Sequence, residues 1–340
     1  MPVGQERKTD RAFWAEHLSF SLEWGKKVAE IHGEVADHYD DHSAIKLVAL
    51  SYWAEIFAPI LLKNGYSTVY VDAMAGSGLT RTKRGESLLG SCPAAMVSAA
   101  SRGNPFRWVL GIEPHKKRSE ALRDRLAYIV ADSATNLSRS IRRTQPEVHD
   151  VALDEAAPRI AQRLRTRDRT FVFVDPQGLE GLNWGNLTTL MALPGDVMLN
   201  WFSDQALRVS SASQSTARSA EGDSSRMDDL LGTGTWTSTK TGEELTTLFC
   251  ERVTAELNRR PPASFTVHDQ DRKRYTLLLF PGNECPADLP DKWCREMTRR
   301  FPPGLPIDQI IDVVSGRQSP LPELSEETTP SKQRQLDDWD

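Results

Sequence analysis

The sequence predicts a doubly wound α/β domain of the Rossmann-like kind, with a mostly parallel seven-stranded sheet that finishes in an antiparallel hairpin. Short apolar segments alternate with helical ones through the middle of the chain. Some of these segments, such as residues 171–174, are continuously apolar, which is typical of parallel strands covered on both faces. Near the end, residues 265–268 and 275–280 flank a charged turn, and this pattern indicates the hairpin.

The alternation follows a helical N-terminal extension, residues 1–64, whose second half carries an apolar stripe at three- and four-residue spacing from Ser43 to Asn64. The α/β domain itself is expected over residues 65–315, with a Ser/Thr-rich insertion at 203–242 and a disordered acidic tail at 316–340. The predicted strands before the hairpin are 68–73, 108–112, 148–153, 170–174 and 196–201. The predicted helices between them are 93–101, 116–130, 156–165 and 184–191.

Composition limits the possible classes of protein. The 340 residues are 39% hydrophobic and 26% charged, as in a folded soluble chain, and no apolar run predicts a membrane span or a signal peptide, so we expect a cytoplasmic protein. The four cysteines form no CxxC pair, which favours free thiols and no metal site. Arginine and lysine cluster near positions 81–84, 116–125, 139–143 and 163–169. Such clusters are equally typical of a phosphate-binding face and of solvated helix surfaces.

A loop of small residues follows the first predicted strand, from Asp72 through Ala73, Gly76 and Gly78. Glycines at this place let the backbone approach a ligand, and the N-terminus of the following helix favours an anionic or polar group. The loop lacks the Lys and Ser/Thr of a nucleoside triphosphate P-loop. We therefore expect a small-molecule cofactor site here.

Acidic residues end the next two strands. Glu113 is placed to accept both hydroxyl hydrogens of a ribose, although it would also serve to cap the following helix. Asp154 is the candidate acceptor for an adenine amino group, with Asp150 and Asp132 as competitors. Residues 79–92, which lengthen the distance between Asp72 and Glu113, are predicted to form a loop over the cofactor or substrate.

The fourth strand leads into Asp175 and Pro176. The Asp175 carboxylate and the Pro176 carbonyl are two acceptors that can hold an amine with its lone pair directed at an electrophile, a form of catalysis by positioning. The other reading is that Asp175 only caps the turn that follows. The fifth strand ends at Trp201, with Arg208 beyond it, and such an aromatic either stacks on a base or closes the core.

Taken together, these motifs resemble the three-Cys-motif partner protein family, bacterial proteins with a class I methyltransferase-like domain. The matching segments, in order, are 42–46, 71–78, 90–93, Glu113, 174–178, 199–202 with Arg208, and 231–233 with Trp236. The resemblance implies S-adenosylmethionine as cofactor, with Ala73, Gly76 and Gly78 around its amino-acid moiety and Lys46 near its carboxylate. It also implies methylation of an amino group of DNA or RNA, a three-Cys-motif partner protein, and a phage-defence or mobile-element context.

One position departs from related amino-group methyltransferases that act on nucleic acids. These usually continue Asp-Pro-Pro with an aromatic residue that stacks on the target base, whereas this chain continues Asp175-Pro176 with Gln177 and Gly178. Trp184 and Trp201 are the candidates to replace that aromatic. The alternatives are a methyl acceptor other than a base, or a non-catalytic partner protein that keeps the cofactor-binding fold.

Overall fold

The computed structural model describes residues 10–132, 137–176, 181–201, 226–269, 272–305 and 307–316. Its helices are α1 (Asp10–Val28), α2 (Ser43–Lys63), α3 (Ser91–Ser101), α4 (Lys116–Ala131), α5 (Ser138–Ile141), α6 (Leu153–Arg163), α7 (Trp184–Met191), α8 (Gly242–Leu257), α9 (Leu289–Arg300) and α10 (Ile307–Val314). Its strands are β1 (Asp37–His38), β2 (Ser67–Asp72), β3 (Leu79–Arg81), β4 (Ser87–Leu89), β5 (Trp108–Ile112), β6 (Gln145–His149), β7 (Asp168–Val174), β8 (Gly195–Trp201), β9 (Ala263–Asp269) and β10 (Arg272–Phe280).

Seven strands form the main sheet in the order β6-β5-β2-β7-β8-β10-β9. The first five are parallel, and β10 runs antiparallel to both β8 and β9. This is the expected class I methyltransferase arrangement with its terminal hairpin, so the predicted fold class is confirmed. The chain leaves β2 towards one edge and returns through β7 towards the other, which places the topological switch point at the carboxyl ends of β2 and β7.

Helices cover both faces of this sheet, as continuously apolar strands require. One hydrophobic cluster gathers residues of α1 to α4, α9 and α10, and the other gathers residues of α6, α7 and α8. Strand β2 contributes to both clusters, because its alternate side chains Val69 and Tyr70 point to opposite faces.

Two predicted segments differ from the structure. The third strand is Gln145–His149 and not 148–153, because Leu153 opens helix α6 and is buried there with Ala156 and Ile160. Residues 79–92 are not an open loop. They form the β3–β4 hairpin, which pairs with β1 in a separate three-stranded sheet, and the first residues of α3.

The N-terminal extension is part of the same hydrophobic core as the sheet. Within the described ranges, α2 is the one helix long and apolar enough to cross a membrane, a finding that the sequence pattern did not lead us to expect. However, 67% of its apolar window is buried inside the protein, and Trp53 at its centre has no exposed surface. Helix α2 is therefore a core helix that covers one face of the sheet.

Arg125 of α4 connects residues 28–35 of the N-terminal extension to the loop of small residues at 72–78, the glycine loop. Its side chain is fully buried, and its guanidinium donates to the carbonyls of Val28, Ile31, His32 and Val35 and, over 2.8 Å, to that of Ser77. Burial lowers the pKa of Arg125 to about 10, which still leaves the side chain charged at neutral pH. One side chain thus donates to five carbonyls, two of which, those of Val28 and His32, also accept from backbone amides.

The expected acidic tail and most of the Ser/Thr-rich insertion lie outside the described residues. At the end of the insertion, residues 226–231 form a short helix and Thr235–Ser238 a 3₁₀ turn.

Candidate functional site

The carboxyl ends of the central strands open onto a cavity of about 770 Å³. Its walls come from the ends of β2, β5 and β7, from the start of α6, and from residues that the sequence did not single out: Gly181, Asn183, Asn186, Arg226 and Asp229. A cavity of this size and position is where open α/β sheets bind ligands. The predicted residues Ala73, Glu113, Asp154 and Asp175 all line it.

The glycine loop contains two left-handed residues with different surroundings. Gly76, with φ of +61°, lines a second and smaller cavity of about 20 Å³. Gly78, with φ of +79°, lies behind the loop, where a Cβ would meet Leu122 at 2.8 Å. We conclude that Gly76 is placed to contact a ligand, while Gly78 makes the turn possible.

Asp72 lies beneath the loop and lines neither cavity. Its buried carboxylate accepts from the Tyr70 hydroxyl at 3.0 Å and from the Met74 amide at 3.3 Å. Burial raises the pKa of Asp72 to about 7, partly offset by the hydrogen bond from Ser91. The structure therefore places Asp72 as a support for the loop.

The Asp72 carboxyl is expected to make stability depend on pH. Because its folded pKa of about 7 exceeds the ordinary 3.8, its contribution favours folding at low pH and is lost as the pH rises from about 4 to 7. Asp72→Asn removes this dependence. The free energy of unfolding in urea, taken as variant minus wild type, should therefore be about 2 to 3 kcal/mol higher at pH 8 than at pH 5. An equal difference at both pH values would contradict this prediction, and Asp154→Asn, at an exposed carboxyl, serves as the control.

Glu113 faces the large cavity from the end of β5. Its Oε1 accepts from the His115 amide at 2.8 Å, and its Oε2 lies 3.4 Å from Nε of Arg118. The carboxylate thus holds the start of α4 and lines the cavity as well, so the two roles considered for it are compatible. Its lone pairs leave room for ribose hydroxyls, since a carboxylate accepts about four hydrogen bonds.

Of the three acids considered for the adenine end, only Asp154 reaches the cavity. Asp150 lies beside Arg123 at 4.0 Å, and Asp132 lies 3.8 Å from Lys27 at the end of α4. The structure thus separates candidates that sequence spacing left equivalent.

The smaller cavity joins the larger one at Met74 and Asp175, which line both. It carries an acid, Asp37, and a base, Lys46. Asp37 of β1 accepts from the amide and the hydroxyl of Ser77, at 2.8 and 3.0 Å, and pairs with Arg118. Sequence reasoning missed Asp37, because a contact across forty residues leaves no local pattern.

Asp175 occupies the junction of the two cavities. Its Oδ2 forms an ion pair with Lys46, and its Oδ1 accepts from Nδ2 of Asn200 at 2.7 Å. Oδ1 of Asn200 is buried without a hydrogen-bond partner within the described part of the chain. Pro176 follows as a buried residue that lines neither cavity, so its proposed carbonyl contact remains a prediction.

The aromatic candidates for base stacking belong to the core and line neither cavity. Trp201 is 2% exposed, stacks on Phe249 with ring centroids 4.3 Å apart, and donates to Thr246. Trp184 contacts the same Phe249 edge-on and lies beneath the Arg252 guanidinium. This placement matches the core alternative considered for Trp201. Arg208 lies outside the described residues.

Comparisons with known proteins identify no family: no family model matches the chain, and no curated protein matches it. Solved structures match at low similarity. An O-methyltransferase of Bacillus cereus in complex with S-adenosylhomocysteine has 9% identity over 78% of this chain and 99% of its own, with a TM-score of 0.36. A protein of Pyrococcus horikoshii named as a candidate RNA methyltransferase has 11% identity over 70% and 85%, with a TM-score of 0.35.

A further match, a Legionella pneumophila protein, has 10% identity over 75% of this chain and 92% of its own, with a TM-score of 0.40. At these values the fold assignment rests on the strand order of the chain itself.

Among the residues that the structure describes, no three His, Cys, Asp or Glu side chains meet as a group that could hold a metal ion.

Proposed function

We propose that the chain binds S-adenosylmethionine at the carboxyl ends of β2, β5 and β7 and transfers its methyl group to an amino group. The observation that carries this proposal is a pair of joined cavities that differ in size and in the side chains that line them, with Asp175 at their junction. The larger one suits a nucleoside, because two carboxylates line it, Glu113 after the end of β5 and Asp154 at the start of α6. The smaller one, at about 20 Å³, suits a charged end of a zwitterion, because an acid and a base line it.

The residues fit each part of that cofactor. Glu113 would accept from the ribose hydroxyls and Asp154 from the adenine amino group, as in other nucleotide sites on open sheets. Gly76, Asp37 and Lys46 surround the space for the amino-acid moiety, where a Cβ on Gly76 would come within 2.5 Å of the Asp37 carboxylate. The same Asp37 is linked through Arg118 to Glu113, so both ends of the site are held by one chain of contacts.

When bound, this cofactor supplies an electrophilic methyl group. Asp175 would accept a hydrogen bond from the incoming amine, with the Pro176 carbonyl as a second acceptor, and so direct the nitrogen lone pair. Orientation of this kind reduces the entropic part of the barrier. The proton that the amine loses would move to the Asp175 carboxylate or to water. Asn200 holds Asp175 in position through its 2.7 Å hydrogen bond.

For the acceptor we propose nucleic acid, on the evidence of a basic rim at the amino ends of the same strands. The rim is defined by Arg142, Arg165 and Arg167, which are all exposed and precede β6 and β7. Arg107, at the start of β5, pairs with Asp168 and lies over Trp108 at 4.3 Å. Because the rim lies at the edge opposite the cavities, it would hold flanking phosphates and not the methylated group.

Neutralising the rim is expected to weaken RNA and DNA binding. In the triple replacement of Arg142, Arg165 and Arg167 by glutamine, the fall of log K with log salt concentration should become shallower. The magnitude of the slope should decrease by about 2 to 3, since each phosphate contact releases about one counterion. Fluorescence anisotropy with labelled single- and double-stranded oligonucleotides measures this. The matched control replaces three exposed bases elsewhere, Lys26, Lys292 and Arg295. Equal slopes for the two triple variants would remove the support for nucleic acid.

One observation favours a second candidate, a cofactor-binding protein without transferase activity. Both oxygens of Asp175 already have partners within the protein, Lys46 and Asn200. Such a protein would act as a ligand-dependent partner in a larger system, which is where a three-Cys-motif protein would enter. Binding of the cofactor without any methyl transfer to RNA, DNA or protein would support this candidate.

Calorimetric titration tests the shared part of both candidates. We expect S-adenosylmethionine, S-adenosylhomocysteine and 5′-methylthioadenosine to bind the purified full-length chain, because each carries the adenosine that the large cavity suits. Failure of all three to bind at millimolar concentration would overturn the proposed function.

A further inference from the structure

Lys46 and Asp175 form a buried ion pair at the junction of the two cavities. Lys46 as a whole residue is 6% exposed, and the side chains of Lys46 and Asp175 are 8% and 12% exposed. The Lys46 ammonium also lies 5.2 Å from the ring centroid of Tyr39 and 6.0 Å from that of Tyr275. These contacts help to keep the charged amine at the junction, because aromatic faces attract cations.

The ion pair engages the Asp175 carboxylate, which is the group that the proposed reaction needs. Oδ1 of Asp175 is taken by Asn200, and Oδ2 is taken by Lys46. An amine acceptor entering from the large cavity therefore meets a carboxylate whose charge is already compensated. The lone pairs of Oδ2 can still accept a hydrogen bond, but the amine then shares this oxygen with the Lys46 ammonium, so its contact with Asp175 becomes more favourable once Lys46 leaves.

The smaller cavity offers Lys46 another partner. Lys46 is the cationic side chain of its described lining, opposite Asp37, whose own charge is balanced by Arg118. A ligand carboxylate in this cavity would find its counter-ion in Lys46. Asp175 and that carboxylate would then compete for one ammonium group.

We propose that Lys46 exchanges partners, from Asp175 in the free protein to the carboxylate of the ligand's amino-acid moiety, and that this exchange frees Asp175 for the amine acceptor. The inference rests on the proposed cofactor site and goes beyond it, since it makes acceptor binding depend on prior cofactor binding. A ligand that lacks the carboxylate fills the large cavity and leaves Asp175 paired with Lys46.

The exchange predicts that removing the Asp175 charge tightens the binding of a carboxylate ligand. Asp175→Asn should bind S-adenosylhomocysteine about 10-fold more tightly than the wild type, within the usual range of coupling between sites. Its affinity for 5′-methylthioadenosine, which has the same uncharged thioether and no carboxylate, should change less than about 2-fold. In the Lys46→Met background, Asp175→Asn should give no tightening, as a double-mutant cycle requires.

Calorimetry on the four proteins with both ligands provides the test. Asp150→Asn, at an exposed carboxylate that lines neither cavity, is the control and should change neither affinity. Unchanged or weaker binding of S-adenosylhomocysteine to Asp175→Asn would overturn the proposal, and so would tightening that persists without Lys46. If wild-type protein binds neither ligand, the proposed function itself fails, whereas binding without the predicted difference rejects the exchange alone.

A second measurement does not depend on variants folding. Crystal structures of the wild type with each ligand should place the Lys46 ammonium against the carboxylate of S-adenosylhomocysteine, and against Asp175 with 5′-methylthioadenosine. An Asp175–Lys46 contact that persists beside bound S-adenosylhomocysteine would overturn the exchange.

Discussion

Replacement of Glu113 by glutamine is expected to lower the affinity for S-adenosylmethionine and S-adenosylhomocysteine by about 10- to 100-fold, the most that one hydrogen-bonded charged group usually contributes. The amide keeps the length of the side chain and loses one of the two oxygens that would accept the ribose hydroxyls. It also weakens the 3.4 Å contact with Arg118, which links the ribose end of the site to Asp37.

Calorimetry measures this loss, and 5′-methylthioadenosine should show it to the same extent because it carries the same ribose. Glu155→Gln is the matched control, since Glu155 pairs with Arg159 on the exposed face of α6. Thermal unfolding of the Glu113 variant within a few degrees of the wild type would exclude a folding defect. Unchanged affinity in a folded variant would contradict the assignment of Glu113 to the cofactor.

The second large effect concerns Asp175. Asp175→Ala is expected to lower methyl transfer by about 100- to 10,000-fold, the range for loss of a group that orients or accepts a proton in the transition state. Affinity for 5′-methylthioadenosine should stay within a few-fold, because the adenosine contacts are made elsewhere. The measurement is incorporation of tritiated methyl from S-adenosylmethionine into total RNA, DNA and protein.

The same assay separates catalysis from support of the fold. Asp150→Asn changes an exposed acid that lines neither cavity and should retain the activity. A folded Asp175→Ala variant with wild-type transfer would show that Asp175 only holds Lys46 and Asn200 in place. A large loss of adenosine affinity in that variant would equally contradict the role given to it.

The central strands could be predicted from the sequence because burial on both faces makes them continuously apolar. Residues 170–174 and 196–201 lie within the observed β7 and β8 for this reason. The predicted start of edge strand β6, residue 148, lies three residues after the observed start at Gln145. None of the residues of β6, QPEVH, is fully buried. An edge strand of this kind gives no apolar signal, and the apolar residues that follow it belong to α6.

The site was predictable where a residue follows directly from its strand. Glu113 and Asp175 line the cavity because each comes just after a parallel strand, and parallel strands share one carboxyl edge. Asp154 lines it from the first turn of α6, five residues after β6 ends. Asp37 was not predictable, because the two-residue strand β1 that carries it exists only through pairing with β3. Trp201 was ambiguous in sequence, and the stacked Phe249 that buries it comes from α8, almost fifty residues later.

The contacts of Arg125 bear on where this protein can be divided. A boundary at residue 64 separates a helical extension from an α/β unit in sequence terms, yet Arg125 donates to carbonyls on both sides of it, those of residues 28–35 and that of Ser77. A cut at this boundary would leave the buried Arg125 guanidinium without most of its acceptors and would remove Asp37 from its contact with the glycine loop. A fragment that keeps these contacts therefore includes residues 28–37, and the extension supplies Asp37 and Lys46 to the proposed ligand site.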